Sequence, residues 1–476
     1  MVDIRVCTKK YLDFMERQYT VFFDFLRFCI GSAKEIPDSL KEADWKEQYA
    51  IAKKQCLVGV LFDGIKKLPA EHVGMEKELL LQWVAESQML EKANVRLNDA
   101  AIQVSEWFRK KGFRTCILKG QGNALMYPNP YSRTPGDIDI WVEGGDKRVI
   151  SFVRSISPHE KACYHHIDFP SYKGVEVEVH YRPSFLLYFW HNRKLQKYYE
   201  RVKEEQFSHR VMLGEQGEIA IPTVEFNLIF QLTHIYAHLM NEGIGLRQLL
   251  DYYFVVCDFY KVYQTSTNHS ASFSNHLVIF SNHPVPLSKE GSTFSPSPSS
   301  SESGDVTALR CSEPLRYKDG GASKPSPGCA GWDRLEMRGE MAAECAGASS
   351  AVAHSSFAAS SSSAALDRVQ KELKELGLWK FAGAIMYIMQ EVFGLPASRL
   401  IVPPNEKYGK FVLNEVLEAG NFGKHDERNR FGKSKLGHNL QRVYRDMRLV
   451  RYFPAEAMSE PFFRVWHFFW RLKHRR

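Results

Sequence analysis

Along the first hundred or so positions, apolar residues return every three to four residues. From Tyr11 to about Lys111, in stretches such as FLRFCIG and WKEQYAIAKKQCLVGVLFDGIKKL, glycine and proline are rare, and the spacing predicts a helical N-terminal region over 1–111. The pattern then changes. FRTCILKG is a short run of strand formers stopped by glycine, DIDIWV is a second, and CYHHIDF and VEVEVHY read as a hairpin joined by PSYKG. These runs predict a small mixed or antiparallel sheet within a core over 112–222. The helical period resumes at Thr223 in EFNLIFQLTHIYAHLM and GLRQLLDYYFVVCDFY, and again in DRVQKELKELGLWKFAGAIMYIMQEVFG. Residues 223–260 and 366–476 therefore read as one helical C-terminal region. The stretch between them, 261–365, is rich in Ser, Ala, Gly and Pro without apolar period, and reads as a disordered low-complexity insertion. The expected class is α+β, a small mixed sheet between helical regions.

Composition changes this picture little. Of the 476 residues 44% are hydrophobic, enough for a substantial core, and the formal charge of +8 is a mild excess compatible with phosphorylated ligands. Nine cysteines are scattered from Cys7 to Cys345 without a CxxC pair, so neither a zinc knuckle nor a disulfide framework is legible. The N-terminus lacks a basic-then-apolar leader pattern, and no run of about 18 apolar residues would span a bilayer. A cytoplasmic protein without a membrane span is expected.

In RTPGDIDIWV, strand alternation sets Asp137 and Asp139 on one face and Ile138, Ile140 and Val142 on the other. Two carboxylates that close repel each other unless they are solvated or share a divalent cation. A bare DxD is usually a solvated pair, but its surroundings add weight. Upstream, ILKGQGNALMY runs from a strand through a glycine turn into a helix-like segment, an arrangement that presents backbone N–H groups to phosphate, with Lys119 adding charge. Downstream, Glu176, Glu178 and His180 alternate with valines, so a third carboxylate is expected on the same face. Arg133, four residues before Asp137, is placed to touch the acids or a phosphate.

A glycine turn, a DxD strand and a neighbouring strand with one more acid resemble the nucleotidyltransferase fold of the DNA polymerase β-like superfamily. More closely, LKGQGNALMY, RTPGDIDIWV and VEVHYRP look like a bacterial family of uncharacterised nucleotidyltransferases, as do GIGLRQLLDYYFVV and EAGNFGKHDERN. The resemblance implies transfer of a nucleotidyl group from an NTP to a hydroxyl acceptor, which would be a small molecule, a protein side chain or an RNA end. It implies Asp137, Asp139 and Glu178 as catalytic ligands of Mg²⁺ or Mn²⁺; Glu178 is chosen over Glu176 because the family pattern has an acid, one residue, then His. Lys119, Gly120, Gln121, Arg133 and Arg247 are the implied nucleotide contacts. The chain departs from the superfamily in having Gly120-Gln121 in place of Gly-Ser, and seventeen positions from Gly120 to Asp137, so the MYPNPYSR loop must fold out of the way.

Other residues have plainer readings beside sharper ones. His234 and His238 in HIYAH are one helical turn apart, but the glutamate of a HExxH protease is missing, so a structural or substrate-contacting role is expected over zinc. Arg247 and Asp251 have the spacing of a helix-surface ion pair. One of His165 and His166 should face the acids, with packing the simpler role. PFFRVWHFFWRLKHRR mixes aromatics with basic residues and could lie on a membrane surface, but its apolar positions run round the helix and predict docking into the protein's own core. The rival to an enzyme is a catalytically silent nucleotide-binding module of the same fold; an accessory role in surface-polysaccharide production rests on family association alone.

Overall fold

The computed structural model describes residues 4–215, 217–268, 362–428 and 435–474. The N-terminal region is helical as expected. Helix α1 (Ile4–Ile30) buries Val21, Phe22, Phe25 and Leu26 along one stripe, and α3 (Val58–Ile65) lies against it. Gly64 permits that approach, since a Cβ there would come 2.0 Å from the Cys29 sulfur. Between them α2 (Trp45–Lys54) starts at Asp44, whose carboxylate accepts from the N–H groups of Lys46 and Glu47. The long α4 (Lys77–Lys110) spans 34 residues, about 50 Å at 1.5 Å per residue. Its length lets it serve two hydrophobic cores: Leu79 and Trp83 enter a helical one, and Leu97 to Phe108 a second one under the sheet.

The sheet has the order β1-β2-β4-β3, built from β1 (Thr115–Ile117), β2 (Ile138–Val142), β3 (His166–Tyr172) and β4 (Val175–His180). Strands β1 and β2 are antiparallel, β2 and β4 parallel, and β3 and β4 form the expected hairpin, turning at Lys173 and Gly174, both of positive φ. The sheet is therefore mixed. Ile138, Ile140 and Val142 point into the second core with Val177 and Val179, covered by α4 and by α6 (Gly145–Ile156). On the opposite face Trp141 packs on Phe207 of α7 (Phe189–Ser208) and Phe226 of α8 (Val224–Asn241). A two-stranded ribbon, β5 (Arg210–Met212) with β6 (Glu218–Ala220), follows α7.

Helices α8, α9 (Leu246–Asn268), α10 (Ser362–Glu375), α11 (Trp379–Glu391) and α12 (Glu406–Ala419) contribute to the helical core. Most of the expected insertion, 269–361, lies outside the described residues. Its edges differ from the expected bounds of 261–365: α9 runs on to Asn268, and α10 begins at Ser362 with Ala365 fully buried. Serine and alanine there start a helix instead of ending a linker.

Helix α13 (Lys435–Leu449) and α14 (Pro454–Lys473) pack together. The expected docking of α14 into the protein's own core holds for one face only. Phe463 stacks on Phe185 at 5.1 Å, Tyr164 meets Trp466 and Trp470, and Glu456 accepts from the N–H groups of Leu187 and Tyr188. The other face leaves Met458, Phe462, Val465, Phe469 and Leu472 exposed, Phe462 by 77%. They recur at steps of four and three, so they form a single stripe along the helix. Among the described residues no helix is long and apolar enough to cross a membrane.

Candidate active site

The parallel pairing of β2 with β4 sets Asp139 directly beside Glu178. Because alternate residues share a face, Asp137 joins them, and one carboxylate oxygen from each lies within 4.8 Å of the other two. Asp139 is 4% exposed, while Glu176 is exposed at the start of β4 and outside this group. The glycine turn borders it: Gly120 has φ +59°, and a Cβ there would sit 3.8 Å from the Asp137 carbonyl oxygen. Leu118 N–H donates to the Asp139 carbonyl at 2.9 Å, tying β1's exit to the DxD strand.

Electrostatics divide the three acids. Burial, then the charges of Asp139 and Glu178, pushes the Asp137 carboxyl up to about 7. Burial also disfavours ionised Asp139, but Lys119 and His180 outweigh it and hold that carboxyl well below its ordinary range. Lys119 Nζ donates to Asp139 Oδ2 at 2.8 Å and His180 Nε2 to Oδ1 at 2.9 Å. Glu178 is likewise held low, burial being outweighed by His166 and His180. The cluster thus has two anionic members with cationic neighbours, and one that carries a proton near neutral pH.

The residues expected to contact nucleotide fare differently. Lys119 lies at the acids, bridging Asp139 to His234 Nε2 at 2.8 Å; burial lowers its pKa, but Asp139 and Asp137 more than offset this. His234 in turn meets His238 Nε2 at 3.0 Å, and His238 Nδ1 meets Glu242 at 3.4 Å, so HIYAH forms a polar chain leading from the acids. Gln121 turns inward. It is 3% exposed, and its amide donates to Asn98. The helix it begins, α5 (Gln121–Ala124), is a single turn, so its dipole is small.

Arg133 corrects the expectation of a phosphate or acid-cluster contact. It is 3% exposed and donates from Nε and Nη2 to both oxygens of Asp251 at 2.8 Å, and Tyr127 Oη also donates to Asp251 at 2.7 Å. A fork-on-carboxylate pair buried to this degree latches the 125–136 loop onto α9. Asn94 holds the carbonyls of Tyr131 and Arg133, and Thr134 Oγ1 donates to the Cys56 carbonyl at 2.7 Å. These contacts tie the loop to α4 and α9. Asp251 consequently pairs with Arg133, not with Arg247. Arg247 makes one long bond, 3.4 Å to the Thr134 carbonyl, leaves Nε without a partner, and lies over Phe422. It is the less committed of the two arginines. Phe422 brings in the GNFG segment, where Gly243 and Gly245 lie against Gly423 and Asn421.

Some members of the site carried no assigned role in the sequence. His180, 2% exposed, is bonded into the acids; its i,i+2 spacing from Glu178 served only to choose that glutamate. His166, opposite His180 in register, brings Nδ1 within 3.3 Å of Glu178 Oε2, so it is the histidine that faces the acids. Cys163 was not considered at all; it approaches His165 Nδ1 at 3.5 Å. A cavity of about 320 Å³, lined by Cys29, Asp63, Lys66, Lys67, Tyr127 and Asn129 among others, does not include the acids.

Against known proteins, the model of a family described as an uncharacterised nucleotidyltransferase matches residues 41–262. The match contains the glycine turn, the DxD strand, β4 and Arg247, and ends before the GNFG segment. No curated protein and no solved structure matches the chain.

Proposed function

We propose that this protein is a nucleotidyltransferase that moves a nucleotidyl group from an NTP to a hydroxyl acceptor in the presence of Mg²⁺ or Mn²⁺. The observation that carries the reading is the convergence of Asp137, Asp139 and Glu178 from adjacent parallel strands within 4.8 Å, inside the segment matched by the family model. The donor set fits the cation: three carboxylates offer only hard oxygen ligands, and burial together with the neighbouring charges of Asp139 and Glu178 disfavours the ionised Asp137, a cost a divalent ion relieves. When bound, the ion would neutralise charge developing on the α-phosphate. Lys119, bonded to Asp139 beside the glycine turn, would hold phosphate oxygens, and Arg247 of α9 is the second candidate contact. Gly120 allows the φ of +59° that the turn takes beside Asp137. The acceptor is a small molecule, a protein side chain or an RNA end. The free thiols of Cys29, Cys56, Cys116, Cys163 and Cys257 agree with a cytoplasmic location.

One observation favours the silent nucleotide-binding module. Both oxygens of Asp139 are already engaged, by Lys119 and His180, so a cation must displace one of them or share an oxygen. Turnover separates the readings. The chain is incubated with Mg²⁺ or Mn²⁺, each of the four labelled NTPs, and fractionated cell extract. Stable transfer of label, lost in the Asp137→Ala, Asp139→Ala variant, supports the enzyme; metal-dependent NTP binding without transfer in any fraction supports the module.

A further inference from the structure

Beside the oxygen-rich triad lies a donor set of different chemistry. Cys163, His165 and His166 each offer one ligand atom, all within 4.8 Å of one another. The Cys163 sulfur lies 3.5 Å from His165 Nδ1, and the 3.1 Å contact to His166 Nδ1 is made by the opposite ring nitrogen, Nε2, so an ion would take one side of the His165 ring. Zinc at its usual distances of about 2.3 Å to sulfur and about 2.0 Å to nitrogen, with tetrahedral angles, places its ligands roughly 3.3–3.6 Å apart. The Cys163–His165 separation thus has a metal's dimensions, and the three residues together offer one ligand atom each within 4.8 Å. Its scaffold is built: Cys163 N–H donates to the His166 carbonyl at 2.9 Å, closing a turn over 163–166, and Tyr181 Oη donates to the carbonyls of Cys163 and His166.

We propose that Cys163, His165 and His166 form a second cation site, selective for a borderline-soft divalent ion of the zinc class and distinct from the oxygen-donor triad. Thiolate and imidazole prefer such ions, whereas Mg²⁺ prefers the carboxylates next to them, so the two sites sort cations by ligand type. Three protein ligands leave a fourth position open. Glu178 adjoins the set, its Oε2 3.3 Å from His166 Nδ1, and His166 also belongs to a group with Glu178 and His180. The two sites therefore meet at Glu178. This inference stands whether or not the triad proves catalytic.

The test is a Co²⁺ titration of the full chain in excess Mg²⁺, following thiolate-to-cobalt charge transfer in the near ultraviolet, with zinc content measured by mass spectrometry after loading. The site predicts one equivalent of bound ion with a charge-transfer band. Cys163→Ser abolishes the band, and His165→Gln weakens Co²⁺ binding roughly tenfold or more. Asp137→Asn, which touches only the oxygen site, leaves the band unchanged. Circular dichroism verifies that each variant is folded, and His165→Gln carries the test if Cys163→Ser is not. Absence of the band at stoichiometric Co²⁺ in the folded parent overturns the proposal, as does a band of equal strength in both variants.

Discussion

The acids are not equivalent, and substituting each has its own sign. Asp137 carries a carboxyl raised to about 7 in the fold against an ordinary value of 3.8, so ionising it costs stability as pH climbs between those two values. Asp137→Asn should remove that loss: in chelator it melts at or above the parent at pH 8, and the gap closes toward pH 4. Asp139 behaves in the opposite way because its charge is paired with Lys119 and His180. Asp139→Asn strands a half-buried ammonium and should lower stability in chelator by about 2 kcal/mol at neutral pH. Both variants should lose most of the Mn²⁺-induced rise in melting temperature, as should Glu178→Gln. Equal Mn²⁺ shifts in parent and all three variants would dispose of the triad as a cation site. Strand parity, a strict period of two, set Asp137 and Asp139 on one face with an acid of β4, and the family resemblance chose Glu178 over Glu176. Arg133 was not legible, because its partner Asp251 is 118 residues away and no local pattern says that a charged side chain points inward.

At the scale of elements, long periodic helices were legible and short or one-sided ones were not. Strands β5 and β6, three residues each, offer too little alternation to read. For α14 the difficulty was different: apolar residues all round suggested burial, but the helix is held only along its Phe463, Trp466 and Trp470 side. What ties α13 to α14 includes an acid pair. Asp446 and Glu460 are 9% and 4% exposed; burial, then Glu460, raises the Asp446 carboxyl to about 7, while Arg464 donates to Glu460. A raised carboxyl favours the fold at low pH and opposes it as pH rises from about 4 to about 7. Asp446→Asn should therefore stabilise the parent at pH 8 and have little effect near pH 4, read by melting curves at both values. A constant difference at the two pH values would mean that the pair does not share a proton in the fold.

For the whole molecule, the useful question is how much of the chain the two cores need. The described residues of α9 and α10 enter the helical core from either side of 269–361, and the composition of that stretch has few periodic apolar residues to bury. Replacing 269–361 by a short Gly/Ser linker should leave the melting temperature within about 3 °C and the far-ultraviolet spectrum per residue more helical. A large fall in melting temperature would place those residues in the fold. The edges of this segment were misread because serine and alanine runs are common both to linkers and to helix starts, and only Ala365's packing distinguishes them.

The parallel seam between β2 and β4 has one more consequence. Its two strands come from opposite ends of a crossover that contains α6 and β3, so the seam is closed by long-range pairing, while the β3–β4 hairpin closes locally through Lys173 and Gly174. Any opening that parts β2 from β4 also parts Asp139 from Glu178, and a cation shared between them would tie the two events together. Amide hydrogen exchange should register this as a local effect: Mn²⁺ slows deuterium uptake in peptides covering 136–142 and 175–181, and leaves the β5–β6 ribbon at its metal-free rate. An ion held in this way would serve as a rivet through the sheet, and the backbone protons of its two strands would become a clock for how long it stays.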